Sequence, residues 1–191
     1  MWQLSETFSW KGLRLTGAFR SAEEKCANAI ATHEQAKDAC PDPETPNDAL
    51  LRAEQKLVQI ANKYPQVTMA ALKQLSTGQT DSAADALFDF AFDEDIDDEG
   101  VEKILSYLYD MARNGSEKAA LYLMSMAKVE RASLTQKLAN THLISLSNNH
   151  DRREMNSKVY IIALRYVTNE QHPNIGGPPL KIVPTEGPDN P

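Results

Sequence analysis

The acidic run from Asp93 to Glu99 is the stretch of this sequence that most resembles a metal site, since six of its seven residues carry carboxylates. If Asp95 begins a calcium loop between two helices, Asp97 and Gly100 fall at the third and sixth positions. The twelfth position, where an acidic residue must complete the cage, is Ser106. We therefore interpret these acids as the cap and the favourable negative charge at the start of the next helix, and we expect no metal site.

Three further residues, Cys26, His33 and Cys40, are of the types that bind zinc, and they recur every seven residues. On one straight helix such positions lie two turns apart, so the side chains cannot meet at one ion, and the cysteines are about 21 Å apart, too far for a disulfide. His33 and Glu34 also lack the second histidine of a zinc-protease helix, because Lys37 occupies that position. We expect the thiols and the imidazole to pack at a helix interface.

The sequence shows no other pattern that is typical of catalysis. It contains no recognisable nucleophile beside a base, no glycine-rich phosphate loop and no paired-metal carboxylate set. We therefore expect a protein that is not an enzyme and that has no cofactor. An enzyme whose site is assembled from distant residues is a minor alternative.

Length and composition set the class of protein. The chain has 191 residues, of which 41% are hydrophobic and 25% charged, so it can fold around a substantial core. Its net charge of -7 argues against binding to nucleic acid, where lysine and arginine must neutralise phosphates. No apolar run is long enough to span a membrane, and residues 1–6 do not resemble a signal peptide, so we expect a cytoplasmic protein without a membrane partner.

The elements that would position these side chains are predicted to be helices over residues 18–170. The clearest one has apolar residues on a single face of a 3.6-residue period: Val101, Ile104, Leu105, Leu108 and Ala112. Asn114 and Gly115 predict a left-handed stop, and Ser116 can cap a second helix. Because this turn is short, the two helices must lie side by side.

Capping boxes at 21–24, 133–136 and 151–154 predict three further helix starts. The first of these helices carries a narrow seam of mostly small residues, suited to a close neighbour: Phe19, Ala22, Cys26, Ala29, His33, Ala36 and Cys40. A helix capped by Asn47 or Asp48 follows the proline-rich loop 41–46. Next comes a shorter helix over about residues 66–76, which Gly78 would end. A further helix begins at Asp81 or Ser82.

The two ends of the chain are predicted to be extended. In residues 1–17 the apolar residues Trp2, Leu4, Phe8 and Trp10 alternate with polar ones, and Gly12 and Gly17 disfavour a helix. This arm either packs on the chain's own body or docks on a partner, and we expect self-packing.

The tail, residues 171–191, is rich in proline and glycine, which exclude a helix. It also has four large apolar side chains: Ile175, Leu180, Ile182 and Val183. It either lies along the body or orders on a partner, and we expect partner binding, because such area is rarely left in water.

Three helix pairs can be laid out between residues 66 and 169 at a spacing of about 35 residues. The second helix of the first pair has Ala84, Phe88 and Ala91, and that of the second pair has Ala120, Met124 and Ala127. This small–large–small pattern resembles tetratricopeptide repeats. The resemblance implies a stacked helical scaffold that holds another protein.

The sequence therefore predicts an all-α fold of stacked antiparallel helix hairpins, either a bundle or a short solenoid. The predicted function is a non-catalytic protein–protein interaction module, which is an adaptor, a chaperone or an inhibitor of another protein. The predicted partner-binding residues lie in the extended ends: Trp2, Phe8, Trp10, Ile175, Leu180, Ile182 and Val183. The alternative is a structural subunit of a larger assembly such as a virion or a secretion machine, and a homo-oligomer is left open.

Overall fold

A computed structural model describes residues 6–40, 46–128, 133–148 and 157–171, with side chains described in 21–40, 46–128, 134–148 and 158–168. These residues form eight α-helices and no strand. The helices are α1 (Glu6–Asp38), α2 (Asp48–Lys63), α3 (Thr68–Ser76), α4 (Asp81–Phe90), α5 (Asp98–Arg113), α6 (Glu117–Ala127), α7 (Ser133–Asn148) and α8 (Ser157–Gln171). A 3-10 turn, Pro65–Val67, joins α2 to α3. The predicted all-α class is confirmed.

The helices form a two-layer stack of four antiparallel hairpins. Consecutive helices pair as α1 with α2, α3 with α4, α5 with α6, and α7 with α8. Each odd-numbered helix also contacts the next odd-numbered helix, and each even-numbered helix contacts the next even-numbered one. The predicted stack of hairpins is therefore confirmed, and α1 with α2 adds a fourth hairpin to the three pairs that the sequence suggested.

One hydrophobic core runs through the stack from Cys26 of α1 to Tyr166 of α8. Its largest side chains on the third hairpin are fully buried: Ile104, Leu105, Leu108, Met111, Leu123 and Met126. The core also contains alanines, and Ala84 and Ala120 are completely buried. Small residues at a helix contact allow the neighbouring helices to approach closely.

The helix starts follow the predicted capping chemistry. Asn47 Oδ1 accepts a hydrogen bond from Leu50 N at 2.9 Å, and Asp97 Oδ1 accepts one from Gly100 N at 2.8 Å. Ser116 caps α6 in the same way, and Gly115 has a φ of 112°, so the predicted stop and restart between α5 and α6 are confirmed. Helix α4 begins at Asp81, one of the two predicted starts, and Thr80 caps it.

The N-terminal prediction is wrong from Glu6 onwards, because residues 6–17 belong to α1 rather than to an extended arm. The capping box at 21–24 does not begin a helix either, since α1 runs through it to Asp38. Gly12 and Gly17 cost only about 1 kcal/mol each relative to alanine. Extending an existing helix gains one hydrogen bond per residue, whereas starting a new one is costly, so the long helix prevails.

The seam predicted on α1 is buried. Ala22, Cys26, Ala29, His33 and Ala36 are each at most 9% exposed. The prediction that the thiol of Cys26 and the imidazole of His33 pack at a helix interface is therefore confirmed. Within the described ranges no helix has both the length and the apolar content that crossing a bilayer requires.

Candidate interaction surface

A group of three aromatic rings, of which one is exposed and two are half-buried, lies where α4 and α6 meet in the even-numbered layer. Phe88 stacks on Tyr122 with ring centroids 4.1 Å apart, and Phe92 meets Phe88 edge-on at 5.1 Å. Phe92 is 47% exposed, which makes it one of the most exposed large apolar residues in the described part of the chain. We call Phe88, Phe92 and Tyr122 the aromatic face.

Asp85 holds the two helices of the aromatic face together. Its carboxylate accepts a hydrogen bond from the hydroxyl of Tyr122 and another from Lys118 Nζ at 2.7 Å. Both donors lie on α6 and the acceptor lies on α4, so the contacts set the register of the two helices. Burial, followed by the contact with Asp85, raises the pKa of Tyr122 to about 12.

Acidic side chains surround the aromatic face. Asp89 lies between Phe88 and Phe92 in sequence and is exposed, and so are Asp93, Glu94 and Asp95 of the following turn. The nearby Lys118 is paired with Asp85, and Lys103 is paired with Glu99 at 2.6 Å. These carboxylates give the surface beside the aromatic face a negative potential, and Lys118, which is already paired with Asp85, does not neutralise the others.

We predict that Tyr122 ionises at a higher pH than Tyr64 in a titration followed by tyrosinate absorbance. The hydrogen bond from Lys25 lowers the pKa of Tyr64, whereas burial and Asp85 raise that of Tyr122 to about 12. Because the folded pKa of Tyr122 exceeds the unfolded value of 10.0, its contact stabilises the fold below that pH and is lost as pH rises towards 12. Tyr122→Phe should remove a late ionisation step and Tyr64→Phe an early one. The opposite order would contradict the described contacts.

A second set of polar side chains is buried between α1, α2, α3 and the start of α4. His33 and Glu54 are both 0% exposed, and His33 Nε2 lies 4.0 Å from Glu54 Oε1. Gln74 Nε2 donates to His33 Nδ1 at 3.1 Å, and Thr80 Oγ1 donates to Glu54 Oε1 at 2.6 Å. We call His33, Glu54 and Thr80, together with the half-buried Gln74, the buried polar cluster.

Gly78 closes the buried polar cluster. A Cβ atom on Gly78 would lie 2.6 Å from Glu54 Oε1 and 3.1 Å from His33 Nε2, so the backbone occupies space that a side chain would need. His33 Nε2 and Glu54 Oε2 have no hydrogen-bond partner among the described residues. Because His33, Glu54 and Thr80 are completely buried, we assign the cluster to tying the first two hairpins together rather than to chemistry on a substrate.

The sequence did not single out Glu54, although a signal was present. Glu54 lies on the same helical stripe as Leu50, Leu57 and Ala61, where a carboxylate is out of place unless it has a buried partner. His33 was predicted to pack at an interface. The residues that join it come from positions more than twenty residues away, which sequence spacing does not reveal.

A groove of about 800 Å³ lies beside the first turns of α4 and α6 and next to Lys158 of α8. Its lysines are engaged with acids, since Lys118 is paired with Asp85 and Lys158 with Glu117 at 2.8 Å. In the described residues, no three His, Cys, Asp or Glu side chains are grouped so that they could hold a metal ion. We find no arrangement of nucleophile, base and polarising group in this groove.

Most of the predicted partner-binding residues cannot be compared with the structure. Trp2, Ile175, Leu180, Ile182 and Val183 lie outside the described residues. Phe8 and Trp10 belong to helix α1, whose backbone is described at these positions, but their side chains lie outside the described residues.

The structure brings a different set of apolar residues to the surface. Phe88, Phe90 and Phe92 stand at alternate positions in the sequence, and the structure gives them different degrees of burial. Phe90 is buried, whereas Phe92 is exposed. A comparison of the chain with protein-family models, with curated protein sequences and with solved structures finds no match.

Proposed function

We propose that this protein is a non-catalytic protein–protein interaction module, an adaptor, chaperone or inhibitor that uses a tetratricopeptide-like helical scaffold to present a binding surface. The observation that carries the proposal is the aromatic face. Phe92 is an exposed aromatic ring that packs against the half-buried ring of Phe88, and such a ring offers a partner contact area at little cost in conformational entropy. Protein interfaces are enriched in such residues.

The setting we propose is the cytoplasm. The thiol of Cys26 is buried and burial raises its pKa, so it is an inert packing group rather than half of a disulfide. The tail, residues 171–191, remains a proposed second contact with the partner.

The proposal is tested by placing a photo-crosslinking amino acid at position 92 and illuminating the protein in extract of the cells from which the sequence comes. We expect a discrete crosslinked product, because position 92 lies within the proposed contact. The matched control is position 52, where the Arg52 side chain is 80% exposed on α2, a helix that contributes no residue to the aromatic face. A product of the same yield at both positions, or none at either, would count against the proposal.

The alternative function is that of a structural subunit of a larger assembly, in which the aromatic face would contact another subunit. The mass of the crosslinked product distinguishes this function from that of an adaptor. An adaptor gives a product with a different protein, whereas an assembly subunit gives products that are multiples of the chain's own mass.

A further inference from the structure

The chemistry of the aromatic face indicates what kind of segment it can receive. Its exposed ring, Phe92, is flanked by the exposed carboxylates of Asp89 and Asp93. An acidic or phosphorylated partner would be repelled, while a basic one is attracted. A lysine or arginine can also lie against an aromatic ring and gain a cation–π contact. The face therefore fits a basic segment that has large apolar side chains.

This chain itself contains such a segment. Residues 6–20, which we call the N-terminal segment, have three basic residues, Lys11, Arg14 and Arg20, against one acid, Glu6. The segment thus has a net charge of +2 in a chain whose total is -7. It also has five large apolar residues: Phe8, Trp10, Leu13, Leu15 and Phe19. Its charge and its apolar content are complementary to those of the aromatic face.

The helix geometry argues against docking within one copy. Lys25 Nζ donates to the hydroxyl of Tyr64 at 3.0 Å, which places Lys25 beside the C-terminal end of α2. From Lys25 the unbroken helix α1 continues for another 19 residues to Glu6, about 28 Å at 1.5 Å per residue. The aromatic face lies in the opposite layer, on the second and third hairpins. Reaching it from the same copy would require α1 to break.

We propose that the N-terminal segment of one copy docks on the aromatic face of a second copy. The inference goes beyond the proposed function, because it assigns the same surface to a contact between copies of this chain, which is the contact that the alternative, a structural subunit of a larger assembly, would make. The contact joins two different patches, so it is heterologous and leads to a ring or an open chain of subunits rather than to a closed symmetric dimer.

The test measures self-association of the full-length chain by sedimentation velocity over a range of protein concentrations. We expect concentration-dependent species larger than a dimer, weakened by added salt because oppositely charged groups meet at the contact. Phe92→Ser should weaken association about tenfold or more, as expected for an aromatic anchor. The double variant Lys11→Glu, Arg14→Glu should weaken association to a similar degree, because it changes the charge of the N-terminal segment that binds the aromatic face. Ile161→Ser, at an equally exposed apolar position on α8, is the matched control and should associate like the unmodified chain.

The sharpest test mixes Phe92→Ser with the double variant Lys11→Glu, Arg14→Glu. The first variant keeps an intact N-terminal segment and the second keeps an intact aromatic face, so an equimolar mixture should form a one-to-one dimer and nothing larger. Circular dichroism melts show whether each variant is folded, and Asp89→Lys, at an exposed position, is a second way to disable the face.

A chain that is monomeric at every concentration would overturn the proposal, and so would association that neither variant weakens. A position-92 crosslink to a different protein, together with a monomeric chain, would leave the proposed function standing while this inference falls.

Discussion

Leu108→Ala should lower the free energy of unfolding by about 2 to 5 kcal/mol, the range for deleting a fully buried leucine side chain. Leu108 is 0% exposed on α5, in the core that all the hairpins share. Its loss removes apolar contact and leaves a cavity, because α5 is held by helices on several sides and cannot collapse inwards. Urea unfolding followed by far-ultraviolet circular dichroism measures the change.

Leu121→Ala is the matched control, since the same side chain is deleted from α6 at a position that is 43% exposed. It should cost about 1 kcal/mol or less. Equal losses at the two positions would contradict the described core. A second, separate unfolding transition in Leu108→Ala would show that the hairpins do not share it.

Thr80→Val should lower the free energy of unfolding by about 1.5 to 5 kcal/mol, although it hardly changes the volume of a fully buried side chain. The hydroxyl of Thr80 accepts a hydrogen bond from Ala83 N and so caps α4. The same hydroxyl donates to Glu54 Oε1. Valine removes the cap, worth about 0.5 to 2 kcal/mol, and leaves a buried carboxylate without this donor, which costs about 1 to 3 kcal/mol more.

Two variants separate these causes. Thr80→Ser keeps the hydroxyl and should cost about 1 kcal/mol or less, the value of one buried methyl group. In a Glu54→Leu background the cost of Thr80→Val should fall to that of the cap alone, because the carboxylate that needed the donor is gone. Equal costs of Thr80→Val with and without Glu54 would show that the buried hydrogen bond does not contribute.

The helices of the second and third hairpins were predictable because their signals are local. The apolar stripe around Leu105, the left-handed turn at Gly115 and the caps at Asp97 and Ser116 act over four residues or fewer. The prediction that residues 6–17 form an extended arm was wrong for a related reason. Gly12, Gly17 and the capping box at 21–24 are local signals too, but each is weaker than the gain from continuing a helix that already exists.

Gly78 shows that a local signal can have a second cause. It was predicted to end α3, and α3 does end at Ser76, two residues before it, although the residue with positive φ is Gln79, at 58°. Glycine at position 78 is also required by space, because Glu54 Oε1 lies where a side chain would begin. The need for glycine arises from α2, more than twenty residues away, and no short-range pattern contains it.

The sequence by itself determined that the chain folds as helices, where most of them begin and end, and that they pair as hairpins, because periodicity, caps and short turns are properties of neighbouring residues. The tertiary structure alone decided that Glu54 meets His33 and Thr80 in the core, and that Phe92 faces outwards while Phe90 faces inwards. These arrangements depend on which helix faces pack together across the two layers. Contacts between residues distant in sequence decide which faces pack together, because the combined free energy of these contacts is larger than that of any single local preference.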